Sequence, residues 1–303
     1  MPFLQVNGTR LHYMRAGAGD PLVLVHGSWV DCEVWEAVLP ALVRSFDVVS
    51  YDRRGHSRSS CPPGQGSVRD DVDDLAGLIE LLGLTPAHVA GASLGGSITL
   101  RLAAARPELL RSVAVHEPPL FDLLKAEATD WPELAEIRSR LTVVATRLES
   151  GDLEGAARLY FDRVAATNGG WAALDRGHRR TLVANALTYL DQCRDPEALD
   201  IDLEGLAGFS GPALVTFGDL RPPLFKRIVE LVVAVLPGAR AQLIPGTAHD
   251  PQVTDPDSYA RALGYFMAVG AQPNHRGGQR KGNRRDGVQP NSDERRSEYR
   301  AES

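Results

Sequence analysis

An α/β architecture is what this sequence predicts: a mostly parallel sheet with helices on both faces and an inserted helical cap. Three observations carry it. Strand-like and helix-like runs alternate over residues 21–116 and again over 212–269, while residues 118–206 between them show only helical patterns. The pentapeptide Gly91-Ala92-Ser93-Leu94-Gly95 joins an apolar strand-like run to a helix-like one. In that G-x-S-x-G arrangement a tight strand-to-helix turn lifts a serine above the sheet. The flanking positions must be nearly free of side chain, which glycine provides.

The elements follow in order. Residues 3–6 and 10–14 flank Asn7-Gly8, the signature of a hairpin with a type I′ turn. Residues 21–25 (PLVLV) are continuously apolar, as in a central strand covered on both faces. Residues 34–43 have helical spacing, and 47–51 read as the next strand. Residues 67–82 form a long amphipathic helix opened by a capping box of Ser67 with Asp70. Residues 88–92, 94–105 and 111–116 then read as strand, helix and strand, which requires right-handed crossovers. The rhythm stops at Glu117-Pro118-Pro119. Helical patterns then cover 134–149, 153–166 and 180–193. Strands resume at 212–217 and 239–244, with helices at 224–236 and 257–269. The expected division is a core of 1–117 with 207–270, a cap of 118–206 and a disordered tail of 271–303. The cap is expected over the carboxyl ends of the strands, where ligands bind in open α/β sheets.

Composition excludes several classes. A net charge of −6 gives no global nucleic-acid signature. The tail carries eight Lys/Arg against five Asp/Glu and almost no apolar residue, so it cannot bury enough surface to order itself. It reads as a solvated extension. Residues 1–13 alternate in polarity, unlike a signal peptide, and no run approaches the ~18 apolar residues of a membrane span. Cys32, Cys61 and Cys193 are far apart and lack metal-ligand spacing. The expectation is therefore a cytoplasmic protein without metal or cofactor, acting on a small molecule as a monomer or homodimer.

A serine hydroxyl is a weak nucleophile and needs a base. His249, in Pro245-Gly246-Thr247-Ala248-His249-Asp250, falls in the loop after the last strand. The order of early nucleophile and late base suits this architecture. The oxyanion of an acyl-transfer intermediate needs two preorganised N–H donors. The Leu94 amide is one; the other is expected from His26-Gly27-Ser28-Trp29, with Ser28 as donor.

These stretches, together with Asp52-Arg53-Arg54-Gly55-His56-Ser57, resemble the α/β-hydrolase superfamily over roughly residues 3–270. The resemblance implies an eight-stranded sheet and a Ser-His-acid triad, with Arg53, Arg54 and His56 structural. In most of the family the acid follows the strand after the cap, within G-x-x-D. Here that region reads Gly218-Asp219-Leu220-Arg221, and arginine stands at the acid's position. Glu117, ending the strand before the cap, is the first candidate; Asp219 is the alternative, with Asp250 or no acid behind it. Some haloalkane dehalogenases resemble this placement. So do zearalenone-type lactone hydrolases, whose Cys-His-Glu-Leu-Pro is similar to Val115-His116-Glu117-Pro118-Pro119.

A serine at the elbow disfavours the dehalogenase and epoxide-hydrolase chemistry of the superfamily, which uses aspartate there. It leaves acyl transfer. Trp29, Leu120, Trp131 and Tyr160 are the expected pocket residues, and they suggest an apolar site. The reading is a serine hydrolase of an apolar, bulky ester or lactone. The alternatives are a C–C bond hydrolase or cofactor-free perhydrolase on the same triad, or a non-catalytic small-molecule receptor of this fold.

Overall fold

The computed structural model describes residues 2–165 and 170–270, apart from the side chains of residues 128–130 and 269–270. The tail expected at 271–303 lies outside the described residues. Eight strands form one sheet: β1 (Phe3–Val6), β2 (Thr9–Gly17), β3 (Asp20–Val25), β4 (Phe46–Tyr51), β5 (Ala87–Ala92), β6 (Leu110–His116), β7 (Ala213–Gly218) and β8 (Arg240–Ile244). Their spatial order is β1-β2-β4-β3-β5-β6-β7-β8. Only β2 runs against its neighbours; every other pairing is parallel. The carboxyl ends of β3 to β8 therefore share one edge. At the far edge Asn7 (φ 44°) and Gly8 (φ 75°) make the left-handed turn that a two-residue hairpin requires.

Alternation along β3 explains why the sheet is covered twice. Val23 and Val25 enter a core with the helices Val68–Leu81 and Leu94–Ala105. Leu22 and Leu24 enter a second core with the helix Pro256–Gly270 on the opposite face. Ser67 and Asp70 make both hydrogen bonds of the capping box.

Two expected helices are interrupted. The spacing at 34–43 resolves into a 3-10 turn, Cys32–Trp35, and a single α-turn, Leu39–Leu42. Pro40 stands in the first turn of the second piece, where its missing N–H costs no hydrogen bond. Between β6 and β7 the described residues are helical or irregular, with no strand. There the run expected at 180–193 is two helices, Arg176–Ala184 and Ala186–Arg194, parted at Asn185. The Asn185 amide donates to the carbonyls of Trp29 (3.0 Å) and Val30 (3.2 Å), and its Oδ1 accepts from Ser57 N–H at 2.8 Å. A buried polar side chain with three such partners is strongly fixed. It ties the cap segment to two loops at the carboxyl ends of the strands. Among the described residues, no helix is long and apolar enough to cross a membrane.

His88 is fully buried on β5, its Nδ1 2.7 Å from Ser112 Oγ. Burial, aided by the Arg111 charge, pushes it down to about 4, against about 6.5 in an unfolded chain. Between those values the unfolded state binds a proton that the folded state refuses, so stability rises with pH across this window and is lost on acidification. The urea midpoint should therefore fall as pH drops from 7 toward 4.5, and His88→Gln should flatten that slope.

Candidate active site

Ser93 sits at φ 53°, ψ −124°, immediately before the helix Leu94–Ala105. A non-glycine residue there is strained. The surrounding glycines make the turn possible. A Cβ at Gly91 would lie 2.2 Å from Gly95 O; one at Gly95 would lie 2.1 Å from Val25 O. One at Gly27 would lie 3.1 Å from Ser93 Cβ. The elbow is thus wedged between β3 and its own helix.

The loop after β3 is held by His26 and by Arg53, the second of which the family resemblance implies to be structural. His26 Nδ1 donates to Gly27 O at 2.8 Å, and its Nε2 accepts from Arg53 N–H at 2.9 Å. Burial, with the Arg53 charge beside it, keeps His26 well below the ordinary histidine value, so it stays neutral. Arg53 Nη2 also donates to Gly27 O, at 3.1 Å. In a trans peptide the C=O and the next N–H point opposite ways. Pinning the Gly27 carbonyl therefore turns the Ser28 amide away from Arg53. Among the described residues, neither the Ser28 nor the Leu94 N–H donates to another backbone group.

His249 Nδ1 donates to Glu117 Oε2 at 2.8 Å. The other Glu117 oxygen accepts from Gly218 N–H at 3.0 Å. This proximity depends on Gly218: a Cβ there would lie 2.2 Å from Thr247 O, driving off the loop that carries His249. Burial alone would raise the Glu117 carboxyl, but the His249 hydrogen bond and the charges of His116, His249 and Arg221 hold it below its ordinary value. An ionised Glu117 can only accept, which fixes the proton on Nδ1 and leaves Nε2 as the basic nitrogen. His249 and Ser93 line the same cavity, with no direct hydrogen bond between them among the described residues.

Asp219 stands elsewhere. It is exposed, and its Oδ1 accepts from Gly246 N–H at 2.7 Å, bracing the His249 loop from outside. Arg221, at the sequence position of the usual acid, has a buried side chain, with its Nε 3.4 Å from Glu117 Oε2. Its Nη1 donates to Ala165 O at 2.5 Å, and its guanidinium lies 4.1 Å from the Phe225 ring centroid. One guanidinium so bridges the cap and the carboxylate that holds the imidazole. The sequence showed an arginine at the acid's usual position but not its contacts with Glu117 and the cap.

The cavity beside Ser93 and His249 is small, about 30 Å³. Of the expected pocket residues, Tyr160 lines it and the other three do not. Trp29 is completely buried and packs against Tyr160 and Tyr189, with ring centroids 5.2 and 4.8 Å away. Its positive φ of 73° directs it into the cap's own apolar cluster. Leu120 is fully buried in the main core, and the half-buried Trp131 packs on its margin. The cavity wall is supplied instead by Phe121, Leu141, Val164, Tyr189, Leu199 and Phe225, with Ser28 and Arg221 as polar members. It is largely apolar, though by different residues.

Residues 20–256 match the family of the alpha/beta hydrolase fold, and the chain belongs to that family. Among its relatives, the "Putative carbamate hydrolase RutD" of Pseudomonas savastanoi pv. phaseolicola is 30% identical over 268 residues, which are 85% of this chain and 97% of that one. An Acinetobacter baylyi enzyme, (E)-2-((N-methylformamido)methylene)succinate hydrolase, is 34% identical over 113 residues. That stretch is 37% of this chain and 43% of the enzyme, less than half its length. In fold, the enol-lactonase of Burkholderia xenovorans superposes with a TM-score of 0.66 at 23% identity, over 88% of this chain and 100% of that one.

Three variants test the site. Glu117→Ala should lower kcat by ~10³ with folding intact, and Asp219→Ala should change it little, since only the former orients the imidazole. Gly91→Ala should cost about 3 kcal/mol in urea unfolding, because the added methyl meets backbone that cannot move aside.

Proposed function

We propose that this hydrolase cleaves carboxylic esters or lactones through an acyl-enzyme on Ser93, as a cytoplasmic protein needing no cofactor. The observation that carries the reading is the short contact between a buried, ionised Glu117 and His249 Nδ1, in a cavity shared with Ser93. A strained serine that shares a cavity with an oriented imidazole speaks against a binding-only receptor.

In the proposed mechanism His249 Nε2 takes the Ser93 proton as Oγ attacks the carbonyl carbon. The imidazolium that forms is stabilised by Glu117, which stays unprotonated. The Ser28 and Leu94 amides receive the oxyanion, a contribution of about 3 kcal/mol for each donor in comparable sites. His249 then protonates the leaving alcohol, and the same nitrogen activates the water that releases the acid. The apolar wall of Phe121, Tyr160, Tyr189 and Phe225 favours an apolar group beside the scissile carbonyl.

A second reading, cleavage of an acyl–nitrogen bond, draws support from the names of the two relatives above. The mechanism is the same, with protonation of a departing nitrogen. A fluorophosphonate should label Ser93 stoichiometrically, and Ser93→Ala should lose both labelling and hydrolysis of p-nitrophenyl acetate. Matched ester, lactone and carbamate substrates then rank the two readings by kcat/KM. Ligand binding without labelling or turnover would sink both.

A further inference from the structure

Two cavities meet at one side chain. Beside the 30 Å³ catalytic cavity lies a half-open cleft of about 240 Å³, between the cap helix Ala186–Arg194 and the loop 61–67. Gln192 stands in the wall of both. Its Oε1 accepts from Ser28 Oγ at 2.5 Å, so one side chain links the cap helix to the loop that supplies an oxyanion donor. Leu94, the source of the other donor, also lines the cleft. The cleft thus reaches from solvent to within one side chain of the reacting carbonyl.

Resting on the acyl-transfer reading above, we propose that this cleft is the subsite for the distal part of the substrate, with Gln192 as the partition that sets specificity. Release of the Ser28–Gln192 hydrogen bond joins the two spaces, and a substrate too large for the inner cavity then spans both. The cleft differs chemically from the inner cavity. Its two arginines are already engaged: Arg53 with Asp71 at 2.7 Å and Gly27 O at 3.1 Å, Arg54 with Asp74 at 2.7 Å and Asp70 at 3.1 Å. Asp71, 8% exposed, keeps Oδ1 buried without a partner, and Asp191 makes no ion pair among the described residues. Acceptors and negative charge are in excess. The matching ligand is a group that donates hydrogen bonds, a hydroxyl or an ammonium, and not a carboxylate. The substrate class becomes an ester or lactone that is apolar next to the carbonyl and donor-bearing at its far end.

The test uses p-nitrophenyl esters of hexanoic acid ending in a hydroxyl, a dimethylammonium or a carboxylate, with p-nitrophenyl acetate as the short reference. The hydroxyl and dimethylammonium esters should exceed the carboxylate ester in kcat/KM by about tenfold or more. Asp191→Asn should compress that ranking. Gln192→Trp, which thickens the partition, should remove the advantage of the long donor-bearing esters over acetate, and Gln192→Gly should enlarge it. A ranking unmoved by either Gln192 variant, or a preference for the carboxylate, overturns the proposal. A separate readout needs no turnover. Cys61 is exposed and lines the cleft, so in a Cys193→Ser background 6-(dimethylamino)hexanol should slow its labelling by an aromatic disulfide. Protection without any ester turnover keeps the cleft and sinks the esterase reading. Turnover of acetate with neither ranking nor protection does the reverse.

Discussion

The proposed chemistry depends on how closely the end of β7 approaches the loop that carries His249. Gly218 gives its N–H to one oxygen of Glu117, and its lack of a Cβ lets Thr247 and Ala248 lie against the strand. One residue without a side chain thus sets both halves of the Glu117–His249 pair. The carboxylate cannot rotate because each of its oxygens is engaged. The imidazole cannot withdraw because the loop on either side of it is packed or braced, inside by Gly218 and outside by Asp219. Low dielectric around the pair strengthens this hydrogen bond and makes it costly to break.

Arginine at the position where the family usually has its acid gives this arrangement a different electrostatic balance. Arg221 shares the Glu117 oxygen that His249 uses, and it also holds the end of a cap helix through the carbonyls of Val164 and Ala165. Cations suit helix carboxyl termini, where carbonyls lack partners. Cap position and carboxylate orientation are therefore coupled through a single guanidinium. Asn185 and Gln192 make the corresponding links on the opposite side, from the cap to the loop after β3.

Much of this was legible in the sequence because it rests on local rules. The alternation of strands and helices, the capping box at Ser67 and the glycines around Ser93 each express a short-range steric or hydrogen-bonding requirement. Glu117 was visible as a carboxylate at a strand end beside a missing late acid. What escaped were choices made across the cap. Helical spacing at 180–193 reveals an apolar face but not that Asn185 leaves the helix to serve two distant loops. Trp29 follows the expected oxyanion donor Ser28 and so looks like a substrate contact. Its left-handed backbone turns it into the cap instead, and no pattern in a single chain encodes that φ. The cavity wall was misassigned for the same reason: periodicity finds apolar residues without saying which of several apolar spaces they face.

Trp29, Ser93 and Glu117 follow three adjacent strands, and each has a positive φ, at 73°, 53° and 40°. Conformations of this kind cost about 1–3 kcal/mol apiece and persist only where surrounding structure enforces them. The middle of the sheet works as a loaded spring: tight packing on both faces bears the tension of a poised serine, a fixed carboxylate and an anchored cap. At these positions durability and the proposed turnover pull in opposite directions, and a sequence drifting toward a more relaxed backbone would gain robustness by giving up the geometry that this chemistry uses.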